Sequence, residues 1–137
     1  MRTIVLDTNV IISARLNPEG APAKVVMSGV LARRIRAVTC ARVTTEYFEV
    51  VHRPKFARFK FPPPWLGQLI DESMKLSDPR PWPYSLPDPT DEPFLALAHA
   101  AGAWLVTGNL KHFPESARGG VMVIAPAEYL AKLTDED

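Results

Sequence analysis

Short apolar segments alternate along this chain with segments of helical periodicity, and this alternation limits the possible folds more than any other feature of the sequence. Four apolar segments are predicted to be buried strands, at residues 3–6, 36–40, 103–107 and 121–124. Helices are predicted where apolar residues recur at intervals of three and four, at residues 22–30, 42–52, 65–74, 90–101 and 126–133. Alternating strands and helices are typical of a parallel sheet covered by helices, so we expect an α/β fold.

Proline marks the breaks in this pattern. The helix over residues 42–52 is expected to end before the Arg53-Pro54 step, because a residue that precedes proline avoids the helical conformation. Six of the 14 prolines lie between residues 79 and 93, which predicts a stiff, extended loop. The 137 residues show no internal repeat or long linker, and their number suits one domain over residues 1–137.

The sequence also argues against some classes of protein. No apolar run approaches the roughly 18 residues that a membrane-spanning helix needs, so we do not expect a membrane protein. The start of the chain lacks the apolar region and cleavage site of a signal peptide, and we expect a cytoplasmic location. The single cysteine, Cys40, is expected to be a small core residue.

Basic residues are concentrated in one part of the chain, although the formal net charge is only +1. Eight of the 16 lysines and arginines lie between residues 33 and 60, where only Glu46 and Glu49 oppose them. Such polarity can guide a polyanion toward an acidic centre, while the alternative is a solvated helical face. The eight are Arg33, Arg34, Arg36, Arg42, Arg53, Lys55, Arg58 and Lys60.

The first predicted strand ends on an acid, Asp7. In an open parallel sheet the ligand crevice lies beyond the carboxyl ends of the strands, so a carboxylate at this point is placed for chemistry. The alternative is that Asp7 only caps the helix that follows, as aspartate often does.

Two further acids are predicted to face the core. Glu46 follows Val43 by three residues on its helix, and Asp91 precedes Phe94 by three on another. A carboxylate beside an apolar face needs a partner, which for Glu46 could be an ion pair with an arginine such as Arg42 or Arg53. For Asp91 the helix dipole is the alternative explanation. Asp88, just before the same helix, fits a cap, a turn or a supporting acid.

The positions of Asp7, Glu46 and Asp91 predict that the three share one edge of the sheet. Like charges in one pocket raise one another's pKa unless a cation neutralises them. Carboxylate oxygens suit Mg²⁺ or Mn²⁺, and such an ion can activate water for phosphodiester hydrolysis.

Four motifs in this order resemble those of the PIN domain, in the branch of toxin–antitoxin toxins similar to VapC-type ribonucleases. The resemblance covers essentially the whole chain. The motifs are Asp7-Thr8-Asn9-Val10, Glu46 followed by Arg53-Pro54-Lys55-Phe56, Asp88-Pro89-Thr90-Asp91, and Leu105-Val106-Thr107-Gly108.

This resemblance implies a three-layer α/β/α sandwich with a central parallel sheet. It also implies a Mg²⁺- or Mn²⁺-dependent endoribonuclease that forms a homodimer and is inhibited by a cognate antitoxin protein. By position, Asp7, Glu46 and Asp91 match the metal-binding acids, and Asp88 is a further candidate. Three polar residues match the positions that support the site: Thr8, Asn9 and Thr107.

The sequence departs from the family pattern in one segment of the site, directly after Thr107-Gly108. Where many PIN domains have two acids after Thr-Gly, this chain has Asn109 and Lys111. Asn109, counted among the catalytic residues, keeps an oxygen ligand but loses the charge, while Lys111 and His112 could contact a phosphate or lie on a solvated turn. The alternative function is therefore a PIN-fold module that binds RNA or protein with weak or no catalysis.

Residues 53–61 interleave cations with three phenylalanines. Cations can hold phosphates while rings stack on unpaired bases, so single-stranded RNA is a candidate ligand. We favour packing in the core or at an interface for Phe56, Phe59 and Phe61. The candidate RNA contacts are Arg53, Lys55, Arg58, Lys60 and Lys111.

Overall fold

A parallel five-stranded sheet forms the centre of the computed structural model, which describes residues 2–136 apart from the side chain of Glu136. The strand order is β3-β2-β1-β4-β5, with Ile4 of β1 opposite Ala37 of β2 and Leu6 opposite Val106 of β4. The strands are β1 (Thr3–Leu6), β2 (Arg36–Thr39), β3 (Met74–Lys75), β4 (Trp104–Val106) and β5 (Val123–Ile124).

This order places a topological switch point between β1 and β4. The chain builds outward from β1 through β2 to β3, and then returns to the other side of β1 with β4 and β5. In open parallel sheets the ligand crevice forms at such a point, beyond the carboxyl ends of the strands. We call that end of the sheet the carboxyl edge and the opposite end, where the strands begin, the amino edge.

Helices cover the sheet, so the predicted three-layer α/β/α architecture is confirmed. Helix α5 packs against β1, β2 and β4, while α4 packs against β2. The bounds are α1 (Thr8–Leu16), α2 (Ala21–Ala23), α3 (Ala41–Val51), α4 (Leu66–Glu72), α5 (Glu92–Ala101) and α6 (Pro126–Glu136). A π-helical segment, Lys24–Val30, continues α2, and 3-10 turns lie at Pro54–Phe59, Pro89–Asp91, Leu110–His112 and Glu115–Ala117.

The sequence-based assignment was wrong at the third strand. The predicted helix over residues 65–74 ends at Glu72, and Met74 instead begins β3 opposite Val38. Ser73 adopts an extended backbone, and its hydroxyl pairs at 2.7 Å with that of Thr39. A strand of two residues is too short to show a period of two, so its pattern could not be separated from that of the helix.

The predicted strand over residues 121–124 is shorter in the structure. Gly119 and Gly120 have positive φ values of 57° and 85°, and the N–H of Val121 donates to the carbonyl of Arg118 at 3.0 Å. This turn occupies the first part of the apolar run, so the strand begins only at Val123. As predicted, Cys40 is buried in the core. Within residues 2–136, none of the helices has the length and apolar character needed to cross a membrane.

Candidate functional site

Asp7 lies at the switch point, directly after β1, where its N–H donates to the carbonyl of Val106 at 3.0 Å. The residue is only 4% exposed. Oδ2 accepts hydrogen bonds from the Thr107 hydroxyl at 2.8 Å and from Nδ2 of Asn9 at 3.1 Å. Although Asp7 occupies the N-cap position of α1, its side chain makes no capping hydrogen bond. The carboxylate is held chiefly by Thr107 and Asn9, with a weaker contribution from the backbone N–H of Thr8, so helix capping alone does not account for its position.

Thr107 connects the ends of β1 and β4. Its hydroxyl donates to Asp7 and accepts from the backbone N–H of Asn109 at 3.0 Å and from Nδ2 of Asn9 at 3.3 Å. Oδ1 of Asn9 in turn accepts from the N–H of Gly108 at 2.9 Å. A Cβ at Gly108 would lie 3.3 Å from this oxygen, so glycine lets the two loops approach closely. The network holds the Asp7 carboxylate in one orientation.

Glu46 reaches the same edge from α3. The Thr8 hydroxyl, in the first turn of α1, donates to its Oε2 at 2.6 Å. The neighbouring Tyr47 fixes α3 against the sheet, because its buried hydroxyl donates to the carbonyl of Leu6. Within residues 2–135, Glu46 forms no ion pair with Arg42 or Arg53, so the ion-pair alternative is wrong. Thr8 is the partner that this half-buried carboxylate has.

Asp91 comes to the edge at the start of α5, and it is buried. Its Oδ2 accepts no hydrogen bond of regular geometry from the described residues, and Nδ1 of His112 lies 3.0 Å away. The 3-10 turn Leu110–His112 brings this imidazole back over the site. The sequence placed His112 near the site but did not indicate Asp91 as its partner, since only the fold of the turn decides that.

The pKa values report how strongly the three acids are confined. The pKa of Asp7 is raised from 3.8 to about 6, chiefly by burial and in part by the charge of Asp91, while the hydrogen bond from Thr107 acts in the opposite direction. The pKa of Asp91 is likewise raised from 3.8 to about 6, chiefly by burial and in part by the charge of Asp88. The pKa of Glu46 is raised by burial and by the charge of Asp7, while Arg53 opposes this. The acids therefore lie close enough to repel one another.

Asp88 behaves differently from the other acids. Its Oδ1 accepts from both the N–H and the hydroxyl of Thr90, at 3.0 and 2.8 Å. These bonds lower the pKa of Asp88. Of the three alternatives for this residue, the structure shows the cap of the turn that leads into α5. Its charge still acts on Glu46 and Asp91.

The donor set fits a hard divalent cation chemically. The acids offer only carboxylate oxygens, and Oδ2 of Asp91 is buried without a regular hydrogen bond. Among the described side chains, however, no three Asp, Glu, His or Cys residues meet closely enough to hold one ion as they stand. Binding of one ion by all three acids would thus require side-chain rotation. Asn109 is half-buried beside Thr107, whereas Lys111 is exposed.

The predicted basic region does not form one surface. Arg33, Arg34 and Arg36 lie at the amino edge, where β2 begins. Arg53 lies near the acids, since its charge lowers the pKa of Glu46. The turn after it is fixed by Arg15 of α1, whose guanidinium donates to the carbonyl of Lys60 at 3.1 and 3.3 Å.

The phenylalanines of this turn differ from one another. The rings of Phe56 and Phe61 lie 5.0 Å apart and are half-buried, and Phe61 packs against the core. Phe59 is 43% exposed, with the guanidinium of Arg58 4.8 Å from its ring centre. Packing is therefore the correct interpretation for Phe61, whereas Phe59 leaves its ring accessible.

Comparison with known proteins identifies related families and folds. A family model described as the PIN domain matches residues 3–111. None of the curated proteins matches the chain significantly. A similar fold is found in VapBC2 from Rickettsia felis, whose crystal structure contains a DNA fragment from the VapBC2 promoter. The two chains align with a TM-score of 0.62 and 16% identity, over 90% of this chain and 98% of that one.

Two further structures share this fold. FitAcB from Neisseria gonorrhoeae aligns with a TM-score of 0.58 and 19% identity over 90% of this chain and 98% of that one. A protein from Pyrobaculum aerophilum aligns with a TM-score of 0.58 and 15% identity, over 97% of this chain and 90% of that one. At such identities the similarity concerns the fold.

Proposed function

The chain belongs to the PIN domain family, and from this premise we propose that it is a metal-dependent endoribonuclease that hydrolyses RNA phosphodiester bonds. PIN domains are generally nucleases that use divalent metal ions. The observation that carries the proposal is the burial of Asp7, Glu46 and Asp91 at one edge, where their charges raise one another's pKa. A cluster of this kind costs stability unless a cation neutralises it.

Asp7, Glu46 and Asp91 would hold Mg²⁺ or Mn²⁺, with Asn109 contributing a neutral oxygen and Asp88 a nearby charge. When bound, the ion lowers the pKa of a coordinated water and stabilises negative charge on the phosphate. The residues with catalytic roles in this proposal are Asp7, Glu46, Asp91 and Asn109.

Thr8, Asn9 and Thr107 position the carboxylates in this proposal. Thr8 holds Oε2 of Glu46, while Asn9 and Thr107 hold Oδ2 of Asp7. Each of these bonds uses one oxygen of a carboxylate. Such bonds orient Asp7 and Glu46, while the closer approach of the acids that one ion needs would come from side-chain rotation when the ion binds.

Arg53 is the best supported of the candidate RNA contacts, because its charge already reaches Glu46. The exposed ring of Phe59 beside Arg58 offers a base a surface for stacking. The proposed contacts to phosphates are Arg53, Lys55, Arg58, Lys60 and Lys111.

A thermal shift experiment tests the metal site without requiring activity. Added Mn²⁺ should raise the melting temperature of the wild type by mass action and do much less for Asp7→Asn or Asp91→Asn. Glu49→Gln is the matched control, because Glu49 is exposed on the helix that carries Glu46. Equal shifts in all four proteins would remove the metal site from the proposal.

RNA cleavage tests the reaction itself. We expect cleavage that requires Mg²⁺ or Mn²⁺, persists in Glu49→Gln and disappears in Asp7→Asn. Cleavage that survives the Asp7→Asn substitution would have to come from another nuclease.

We also propose that the protein is a toxin that is inhibited by a separate antitoxin protein. It would act in the cytoplasm as a homodimer, and each chain would form one domain over residues 1–137. The VapC-like motifs and the similarity in fold to VapBC2 from Rickettsia felis support the antitoxin partner. Expression in cells should stop growth, and an antitoxin encoded beside the gene should restore it. Light scattering of the purified chain should give twice the monomer mass, while a monomer would contradict the dimer.

A second candidate function is binding without efficient catalysis. It is favoured by the contact of His112 with Asp91 and by the lack of a preformed three-ligand cluster in the described part of the chain. RNA binding without cleavage at saturating Mn²⁺ would establish this alternative. Cleavage by the wild type that is lost in Asp91→Asn would exclude it.

A further inference from the structure

A cleft lined by four arginines lies at the amino edge of the sheet. It has a volume of about 520 Å³ and is bounded by the first residues of β1 and β2. Its charged lining consists of Arg2, Arg33, Arg34, Arg36 and Glu72. We refer to it as the arginine cleft. It lies at the opposite end of the strands from Asp7.

The backbone between the π-helical segment and β2 builds this cleft. Arg33 adopts a left-handed conformation with φ of 61°, which is unfavourable for a residue with a Cβ. The N–H of Arg34 donates to the carbonyl of Gly29 at 2.9 Å, so the turn folds tightly on the helix end. A Cβ at Gly29 would lie 2.4 Å from Cδ1 of Ile35, which shows how close this packing is. The tight turn directs consecutive arginines to one side of the sheet edge.

The cleft has a surplus of positive charge. Among the residues that the structure describes, Glu72 is the only acid in the lining, and its Oε1 accepts from Arg33 at 3.3 Å and from Gln68 at 3.2 Å. In the part of the chain that the structure describes, neither Arg34 nor Arg36 forms an ion pair. Beyond the Arg33–Glu72 pair, Arg34 and Arg36 therefore add two positive charges that no described acid pairs with.

We propose that the arginine cleft binds backbone phosphates of the nucleic acid on which the protein acts. This inference rests on the proposed function. Guanidinium groups match phosphate oxygens with paired hydrogen bonds, and clustered cations attract a polyanion. The open cleft at an exposed edge suits a strand that continues past it rather than an enclosed small molecule.

The location makes the proposal specific. The four residues of β1 separate the cleft from Asp7 by about 13 Å, at about 3.3 Å per residue. A dinucleotide at the acids cannot also reach the cleft, whereas a long single strand can wrap the sheet edge. The arginine cleft should therefore contribute to binding of long RNA and contribute nothing to binding of a dinucleotide.

A binding titration in EDTA tests this without cleavage. The variant Arg34→Ala/Arg36→Ala should bind long single-stranded RNA about tenfold more weakly than the wild type, and its log affinity should fall less steeply with log salt, by about 1.4 in slope. Arg80→Ala/Lys132→Ala removes the same charge from exposed residues outside the cleft and should bind like the wild type. Equal losses in the two variants would show only an effect of net charge and would overturn the proposal.

A third variant and a second ligand complete the test. Arg33→Gly removes a guanidinium while keeping the left-handed turn, so weaker RNA binding should accompany an unchanged or higher melting temperature. Unchanged RNA binding in Arg33→Gly and in Arg34→Ala/Arg36→Ala would overturn the proposal. Stabilisation by pyrophosphate without any effect on RNA binding would instead assign the cleft to a free phosphate compound.

Failure of the proposed function would look different. An absence of cleavage in every condition would contradict the ribonuclease proposal while leaving the titration in EDTA intact. Conversely, if cleavage of a dinucleotide is normal and long RNA shows no dependence on the cleft, only the arginine cleft proposal fails.

Discussion

The two ends of the same parallel sheet carry charges of opposite sign, and these charges are buried at one end and exposed at the other. At the carboxyl edge, Asp7 and Asp91 are only 4% and 7% exposed, and neighbouring side chains restrain the acids. At the amino edge, Arg34 on the tight turn and Arg36 at the start of β2 are exposed. The acids are held in place, whereas the arginines remain accessible to solvent.

This difference indicates which end of the sheet lowers the stability of the native state. Buried carboxylates with raised pKa values destabilise the native state at neutral pH, whereas exposed guanidiniums keep their hydration. A fold does not need three repelling acids at a switch point, so their presence is best explained by a ligand of opposite charge. The exposed arginines lower the stability little. At this end of the sheet the unfavourable feature is the left-handed backbone conformation of Arg33.

The largest expected effect is on catalysis at the carboxyl edge. Glu46→Gln should reduce the rate of RNA cleavage about 10²- to 10³-fold, because it removes charge from the metal site while preserving the shape of the side chain. Glu49→Gln on the exposed side of α3 should leave the rate unchanged. Equal rates for the two variants would show that Glu46 has only a structural function.

The next effect concerns stability and pH in the absence of metal. The pKa of Asp7 is about 6 in the folded protein against 3.8 ordinarily, so the folded state binds more protons between these values. The contribution of Asp7 to stability is therefore least favourable above pH 6 and improves as the pH falls toward 4.

Asp7→Asn should accordingly unfold with a free energy up to about 3 kcal/mol higher than that of the wild type at pH 8. This advantage should disappear near pH 4. Urea denaturation in EDTA at both pH values measures it. A difference that does not change with pH would contradict a raised pKa for Asp7.

Substitution of Thr107 tests how much its hydroxyl stabilises the carboxyl edge. Thr107→Val should lower the free energy of unfolding by about 2 kcal/mol, because the hydroxyl is fully buried and its loss removes one of the two hydrogen bonds to Oδ2 of Asp7 and leaves the N–H of Asn109 without a partner. Thr107→Ser keeps the hydroxyl and should restore most of the loss. Denaturant melts of the two variants provide the comparison.

Asn109→Asp tests how much the missing charge at position 109 weakens binding of the metal ion. Asn109→Asp should tighten Mn²⁺ binding about tenfold, since a fourth carboxylate strengthens attraction to the ion. Calorimetric titration measures the affinity. An unchanged affinity would place Asn109 outside the metal site.

The smallest effect is expected at the amino edge. Arg33→Gly should raise the free energy of unfolding by about 0.5–1 kcal/mol, because glycine adopts φ of 61° without steric cost. Loss of the Arg33–Glu72 pair offsets little, since the arginine side chain is 80% exposed. A lower stability in denaturant melts would mean that this pair matters more than the backbone strain.

Local patterns were sufficient to predict the α/β class, four of the five strands and the approach of Asp7, Glu46 and Asp91 to one edge. Burial on one helix face is encoded by spacing, as Val43 and Glu46 show, and parallel strands bring their ends together. The strand at Met74 was missed because two residues carry no period. The contact of His112 with Asp91 was missed because it depends on how one short turn folds back.

The sequence by itself determined which residues are apolar, which carry charge and at what spacing, since these are properties of neighbours along the chain. Only the tertiary structure decided which charges meet. It joined Thr107 to Asp7 across 100 residues, and it separated Arg36 from Arg53 although both lie in one basic stretch. Electrostatic and hydrogen-bond energies depend on distance and burial, and both are fixed only when the strands find their order in the sheet.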